Sequence, residues 1–181
     1  ANNFLWVDSV VGGVIPNNFM PAIEKGFRER MIRGVIAGYQ VQDVTVEVHF
    51  GKHHPVDSSE QAFKTAASMA FRNVFQDAKP ALLEPVVKLD VTVPEDYVGD
   101  AYSDISGRGG RVLGSDAAGG GLQTVHCEVP LRSVTTYART LQSMTGGQGS
   151  YTMEFNHYDV MPSNIQQEII AKTKLAEEEE D

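Results

Sequence analysis

The sequence predicts an α+β protein made of two consecutive modules and a C-terminal helix, the second module having the ferredoxin-like order β-α-β-β-α-β. Three observations carry this. Apolar residues alternate with polar ones over Val44–Phe50 and over Val87–Val93, the period of strands with one buried face. Other segments repeat apolar residues at helical spacing, as in Ile23, Phe27 and Met31. The stretch "KPALLEP", with Pro80 and Pro85 at its ends, marks a junction between two rhythms.

Taken in order, "FLWVDSV" is a short apolar strand followed by Gly12 and Gly13. A strand this close to the first residue raises the expectation of a piece of a longer chain. An amphipathic helix follows, with Asn17 or Asn18 suited to cap its start and Gly34 or Gly38 to end it. The strand Val44–Phe50 places Val44, Val46, Val48 and Phe50 on one face and Thr45, Glu47 and His49 on the other. "GKHHPVDSSE" is then a strand-to-helix loop. Asp57/Glu60 and Ser58/Gln61 both fit a capping box, so the next helix should begin near Ser58 and run to about Asp77, with Ala62, Phe63, Ala66, Ala67, Ala70, Phe71 and Val74 as its wide apolar face.

In the second module, Val87, Leu89, Val91 and Val93 form a strand, and Pro94 sits where a first helical residue belongs, with Glu95 and Asp96 suited to the helix dipole. Tyr97, Ala101 and Ile105 mark that helix. "RVLGS", the turn "DAAGGG" and "LQTVHCEV" make the central hairpin. A helix is expected over Pro130–Leu141, a glycine-rich loop at "TGGQGS" and a last strand at "YTMEFNHY". Pro162 and Ser163 start the final helix, with Ile165, Ile169 and Ile170 turned inward, and Glu177–Asp181 reads as a solvated, frayed tail.

Composition narrows the function classes. The chain has 181 residues, 41% of them hydrophobic and 22% charged, as in ordinary globular proteins. No apolar run approaches the ~20 residues of a membrane span, and no signal-peptide pattern opens the chain. The single cysteine, Cys127, cannot pair internally, so a reducing, cytoplasmic setting is expected. A net charge of −9 argues against loose charge-driven binding to nucleic acid. The charge is uneven: residues 1–85 hold eight Lys/Arg against nine Asp/Glu, and residues 86–181 hold seven against fifteen. Lys25, Arg28, Arg30 and Arg33 crowd one segment, so any RNA surface must be local.

Motif chemistry excludes more than it assigns. "GRGGRVLG" lacks the Lys-Ser/Thr of a phosphate-binding loop and precedes a strand rather than a helix, as does "TGGQGSY". His49, His53, His54, His126 and His157 form no HExxH or Cys-His pattern, so no metal site is expected. Cys127 reads as a small core residue. Glu95/Asp96 and Asp100/Asp104 read as solvated helix carboxylates, and no serine triad or glycosidase dyad is recognisable. For "GKHHP" two alternatives stand on spacing alone: an ordinary exposed loop, or one whose imidazoles stack on bases or bond to phosphate and ribose.

Longer motifs weigh on that choice. "VGGVIP" (Val11–Pro16), "IAGY" (Ile36–Tyr39), "HPVDSSEQAFKTAASMAF" (His54–Phe71), "LLEPVVKLDVTVPEDYVGD" (Leu82–Asp100) and "LQSMTGGQGSYTMEFNHYDVMPSNI" (Leu141–Ile165) together resemble the C-terminal part of bacterial translation elongation factor G, or a close elongation-factor-G-like paralogue. The resemblance runs nearly end to end, in the order of that family's fourth and fifth domains. It implies a ribosomal-protein-like βαβ domain with a left-handed crossover over residues 1–81. A ferredoxin-like βαββαβ domain follows over 86–160, then a C-terminal helix and tail over 161–181. Left-handedness runs against the usual rule for parallel βαβ units and comes from the resemblance alone.

The resemblance implies a ribosome-binding part of a translational GTPase that promotes tRNA–mRNA translocation. The loop Gly51, Lys52, His53, His54, Pro55 would be its tip at the decoding centre, with the family's functional histidine falling on His54. The expected partners are ribosomal RNA, the tRNA–mRNA in the decoding site and the stalk base of the large subunit, for a monomeric protein with no membrane contact. GTP and magnesium would belong to a GTPase domain outside this chain, which itself should hydrolyse no GTP and hold no cofactor or metal. Arg108, Arg111, Ser143, Thr145, Gly146 and Gln148 fall where contacts to large-subunit RNA are implied. Here the chain departs from the family: "SGRGG" puts Gly107 in an arginine-rich turn, and Gly146 and Gln148 replace a common glutamine and arginine. Those departures keep two alternatives open, a paralogue acting in ribosome recycling or protection, and a stand-alone ferredoxin-like binding module.

Overall fold

The computed structural model describes residues 4–180, with side chains through Lys174. Two compact units emerge: residues 1–81 with 163–181, and residues 82–162.

In the first unit, β1 (Phe4–Asp8) and β2 (Val44–Val48) pair in parallel, Phe4 opposite Val44 and Asp8 opposite Val48. Parallel neighbours need a crossover of a dozen or more residues, and α1 (Met20–Arg33) supplies it. A 3-10 turn at Asn17–Phe19 leads into α1, so Phe19 rather than an asparagine occupies the cap position, without a side-chain bond; a proline in the first turn needs no donor there. Gly34 ends the helix at φ 74°, a conformation that costs glycine little. α2 (Glu60–Asp77) is capped by Ser59, whose hydroxyl accepts the Ala62 N–H at 3.0 Å, one residue later than the sequence suggested. β2 alternates half-buried valines with exposed residues as expected but stops at Val48, leaving Phe50 63% exposed.

The core of this unit lies between α1, α2 and the two strands. Phe4, Ile23, Phe27, Met31, Ala67 and Phe71 are buried in it, with Phe27 6.0 Å from Phe71 and 5.7 Å from Trp6, ring centre to ring centre. α1 and α2 touch at Gly26, where a Cβ would strike the Lys64 carbonyl oxygen and meet Ala67 Cβ at 3.0 Å.

In the second unit, β3 (Leu83–Pro94), β4 (Arg111–Gly119), β5 (Leu122–Pro130) and β6 (Ser150–Val160) form an antiparallel sheet in the order β4-β5-β3-β6. With α3 (Val98–Gly107) and α4 (Tyr137–Thr145), this is the ferredoxin-like arrangement predicted. Leu89, Val91 and Val93 from β3, and Val125, Cys127 and Val129 from β5, are fully buried against Ala101, Ile105, Tyr137 and Leu141. Each large apolar side chain buried this way contributes roughly 1.5–3 kcal/mol.

Some boundaries differ from the sequence reading. Pro94 ends β3, and a 3-10 turn at Glu95–Tyr97 precedes α3. The expected helix over Pro130–Leu141 is a 3-10 turn at Leu131–Ser133 followed by α4, which runs to Thr145 and ends on Gly146 in the left-handed region. Apolar residues occur at helical spacing on both sides of that break, so periodicity alone could not locate it. α5 (Ser163–Glu180) begins where expected, with Ile165, Ile169 and Ile170 half-buried. Its backbone stays helical through Glu180, where fraying was expected; the side chains of the acidic run and Asp181 lie outside the described residues.

The contact at Gly26 gives a direct test. Gly26→Ala should destabilise the first unit by about 1–3 kcal/mol through overpacking, read in urea by the fluorescence of the one tryptophan, Trp6. Gly99→Ala in α3, where a Cβ meets nothing within 4 Å, should be neutral or stabilise by up to ~1 kcal/mol. Equal effects of the two would contradict the packing described.

Candidate functional site

The loop joining β2 to α2 is fixed at both ends and braced within. At its base Gly51 lies against buried Ile15, leaving no room for a Cβ. At its other end Ser59 caps α2. Between them the Ser58 N–H donates to the His54 carbonyl at 3.0 Å, and the His54 N–H donates to Ser58 Oγ at 2.8 Å. Nδ1 of His54 also lies 3.2 Å from Asp57 Oδ2. These bonds hold five residues as a closed turn, so the exposed side chains stand on a fixed backbone.

The two histidines have different surroundings. His53 continues a ring stack: its imidazole is 5.8 Å from the Phe19 ring, and Phe19 stacks on Phe63 at 4.6 Å. His54 has a side chain 67% exposed, next to exposed Lys52, Pro55 and Val56. The loop thus offers an imidazole and an ammonium on a stiff support, which suits stacking on bases and bonding to phosphate or ribose. No nucleophile with an adjacent base is assembled there. Among the described residues no group of three or more His, Cys, Asp and Glu could hold a metal ion, and no helix is long and apolar enough to cross a membrane. The sequence reading missed Phe19 and the Ser58 brace. Phe19 is far from His53 along the chain, and no spacing rule joins them.

In the second unit two of the singled-out residues are committed inward. The Arg108 guanidinium donates to Asp104 at 2.8 Å, to the Ser133 carbonyl at 2.6 Å and to Thr140 at 2.9 Å, and lies over the Tyr137 ring. It ties the end of α3 to α4, and these internal acceptors take three of its five N–H donors. Thr145 is fully buried; its hydroxyl donates to the Leu141 carbonyl and accepts the Gly149 N–H, both at 2.8 Å. A direct surface contact by Thr145 is therefore corrected to a structural role in closing the loop after α4. Arg111 is 74% exposed and donates to Glu128 at 2.7 Å. Ser143, Gly146 and Gln148 are exposed, and Gly146 at φ 59° caps α4.

The sheet carries a further cluster that sequence patterning could not assemble. His126 on β5 lies between Asp90 on β3, 2.7 Å from Nδ1, and Asp116 on β4, 3.2 Å from Nε2. Only an imidazolium donates from both nitrogens. The hydrogen bond to Asp90 raises the His126 pKa above its ordinary value, with Asp116 adding to it. Burial pushes the neighbouring Cys127 thiol up to about 12, and its Sγ lies 3.0 Å from the Leu89 carbonyl.

Two outcomes follow from this chemistry. A folded-state pKa above the unfolded ~6.5 means that the His126 contribution is fully present below that pH. It is then lost as pH rises through the folded value. Unfolding of the second unit, followed across pH 5–9, should show this loss, and His126→Gln should abolish it. Cys127 should resist thiol reagents at neutral pH until the unit unfolds, because a thiol of that pKa exposes almost no thiolate; rapid labelling of the native chain would contradict its burial.

Comparison with known proteins agrees with this architecture unit by unit. The family model "Elongation factor G, domain IV" matches residues 1–79, and "Elongation factor G C-terminus" matches residues 81–169. The "Elongation factor G-like protein" of Thermotoga maritima is 44% identical over all 181 residues, which span 26% of that protein. The crystal structure of ttk003000868 from Thermus thermophilus superimposes with a TM-score of 0.81 at 42% identity, over 97% of this chain and 26% of that one. The chain therefore spans about a quarter of the length of the relatives it matches. With two domain models in register, an α+β fold in two units and the motifs in order, the chain belongs to the elongation factor G family, corresponding to its domain IV and C-terminal domain.

Proposed function

We propose that this chain is the ribosome-binding part of a translational GTPase that promotes tRNA–mRNA translocation in the cytoplasm, with the loop Gly51–Pro55 as the part that enters the decoding centre. One observation carries the reading: the loop is anchored at Gly51, closed by the His54–Ser58 exchange and capped at Ser59, yet leaves the His54 side chain outside. A tip that must hold RNA in place needs a stiff backbone and an exposed group able to stack or hydrogen-bond. The mechanism is steric. The braced loop occupies space beside paired RNA and opposes back-slippage, while nucleotide hydrolysis elsewhere in the protein drives the cycle. GTP and magnesium belong to that other domain; the glycine-rich segments here lead into β4 and β6 rather than into helices and offer no phosphate cradle. The protein acts as a monomer against ribosomal RNA, with Arg111, Ser143, Gly146 and Gln148 as the exposed candidates for large-subunit contacts.

A second reading, ribosome recycling or protection by a paralogue, is favoured by one detail. Arg108 is mostly buried and tied to α4, so Arg111 at the start of β4 is the more exposed of the two arginines in this segment. Translocation measured beside ribosome splitting separates the two.

In the full-length protein, His54→Ala should slow translocation by roughly tenfold, about 1.4 kcal/mol of barrier, with GTP turnover nearly unchanged. Equal loss of both activities would remove the tip-loop role.

A further inference from the structure

The basic segment of α1 is not used by the tip loop, and the structure divides its cations into two sets. Arg28 turns away to Glu24 at 2.7 Å and lies over the Phe4 ring at 4.5 Å. Lys25, Arg30 and Arg33 instead follow one stripe of α1 and face α2, where Lys64 joins them. Between the helices run two adjoining hollows of about 430 and 340 Å³ that share Gln61 and Lys64. They exist at this depth because Gly26 lets the helices touch beneath them.

Four cations, Lys25, Arg30, Arg33 and Lys64, line this groove against two carboxylates, Glu29 and Glu60, so its balance is positive although the chain carries −9. Glu29 is bonded to Lys64 at 2.8 Å, and this hydrogen bond, with Lys25 and Arg33 nearby, holds its carboxyl below the usual range. Nε of Arg30 is buried without an acceptor among the described residues, a donor left unused by the fold. Thr65 and Ser68 add hydroxyls to the lining.

We propose that the α1–α2 groove is a second RNA-docking surface, taking the sugar–phosphate backbone of a duplex through Lys25, Arg30 and Arg33, with Lys64 neutralising Glu29 beside them. The observations favour RNA over a protein partner. Protein interfaces centre on buried aromatic or aliphatic anchors, whereas Met69 is the large apolar side chain this groove offers, among hydroxyls, the amides of Asn18 and Gln61, four cations and the carboxylates of Glu29 and Glu60. The stripe from Lys25 to Arg33 extends over about 12 Å of helix, which fits a row of charges rather than one anion. The proposal deepens the ribosome-binding reading and rests on it. A tip loop anchors at one point, and a cationic groove along the helices adds sequence-independent phosphate contacts.

The test uses the 181-residue chain and a fluorescently labelled RNA hairpin of arbitrary sequence, with anisotropy measured over a range of salt. Lys25→Ala/Arg33→Ala should weaken binding at least tenfold at low salt and flatten the slope of log K against log salt by roughly 1.4–1.8, two phosphate contacts at ~0.7–0.9 each. Arg28→Ala, whose cation is paired elsewhere, should leave the slope unchanged. No RNA binding by the parent chain, or an unchanged slope in the double variant with circular dichroism showing it folded, overturns the groove. So does equal competition by polyglutamate, which would mean that any polyanion is accepted. If His54→Ala removes binding and the double variant does not, the groove fails while the tip-loop reading stands. If the double variant alone flattens the slope, the groove holds whatever translocation assays say of His54.

Discussion

The close approach of α1 and α2 at Gly26 is the constraint on which the first unit depends. With no side chain there, the helices meet backbone to backbone, and Phe27, Ala67 and Phe71 fill the space between them and the strands. That packing fixes the start of α2, and with it one end of the tip loop; Gly51 against Ile15 fixes the other. The same contact sets the depth of the cationic groove. One missing methyl thus links core, tip and groove, and a larger residue at position 26 would disturb all three.

The two units handle charge differently. In the second, several cations are spent on the fold: Arg108 crosses from α3 to α4, Arg132 holds the buried carboxylate of Glu84 at 2.6 Å, and His126 bridges two aspartates. Breaking such a pair when one partner is buried costs more than the pair contributes, because a charge is stranded. In the first unit, residues 1–81 are balanced in charge, the excess acid of that unit lying in residues 163–181, and they keep exposed cations on α1 and an exposed imidazole on the tip loop. An acidic protein can present RNA-binding surface in this way, with repulsion elsewhere limiting where contact forms.

How far the sequence revealed this follows from the range of each interaction. Strands β2 and β3 and helix α1 were legible because burial imposes periods of 2 and 3.6 on neighbouring residues, and Val44–Val48 and Leu89–Val93 obey them. The ferredoxin-like sheet was legible from element order. The Ser59 cap was missed by one residue because Asp57–Glu60 and Ser58–Gln61 complete a capping box whereas Ser59 has Ala62 three residues on, and backbone geometry chose the simple hydroxyl cap instead. The burial of Thr145, the inward turn of Arg108 and the Asp90–His126–Asp116 bridge were not legible. Each depends on partners far apart in the chain or on a loop closing locally. At the tip, the adjacent histidines and the helix start were visible, but not the ring stack from His53 to Phe63 that separates their roles.

The measurement that tests the central claim most directly is cleavage of ribosomal RNA from a tethered iron chelate at the tip. Val56 is 84% exposed beside His54, and Cys127 is buried, so a chelate on Val56→Cys would react at one place within these 181 residues. In the full-length protein, with cysteines outside this segment replaced, the account predicts strand cuts at the decoding region of small-subunit RNA. Cuts confined to the large subunit, or none on a ribosome shown to carry the protein, would contradict it.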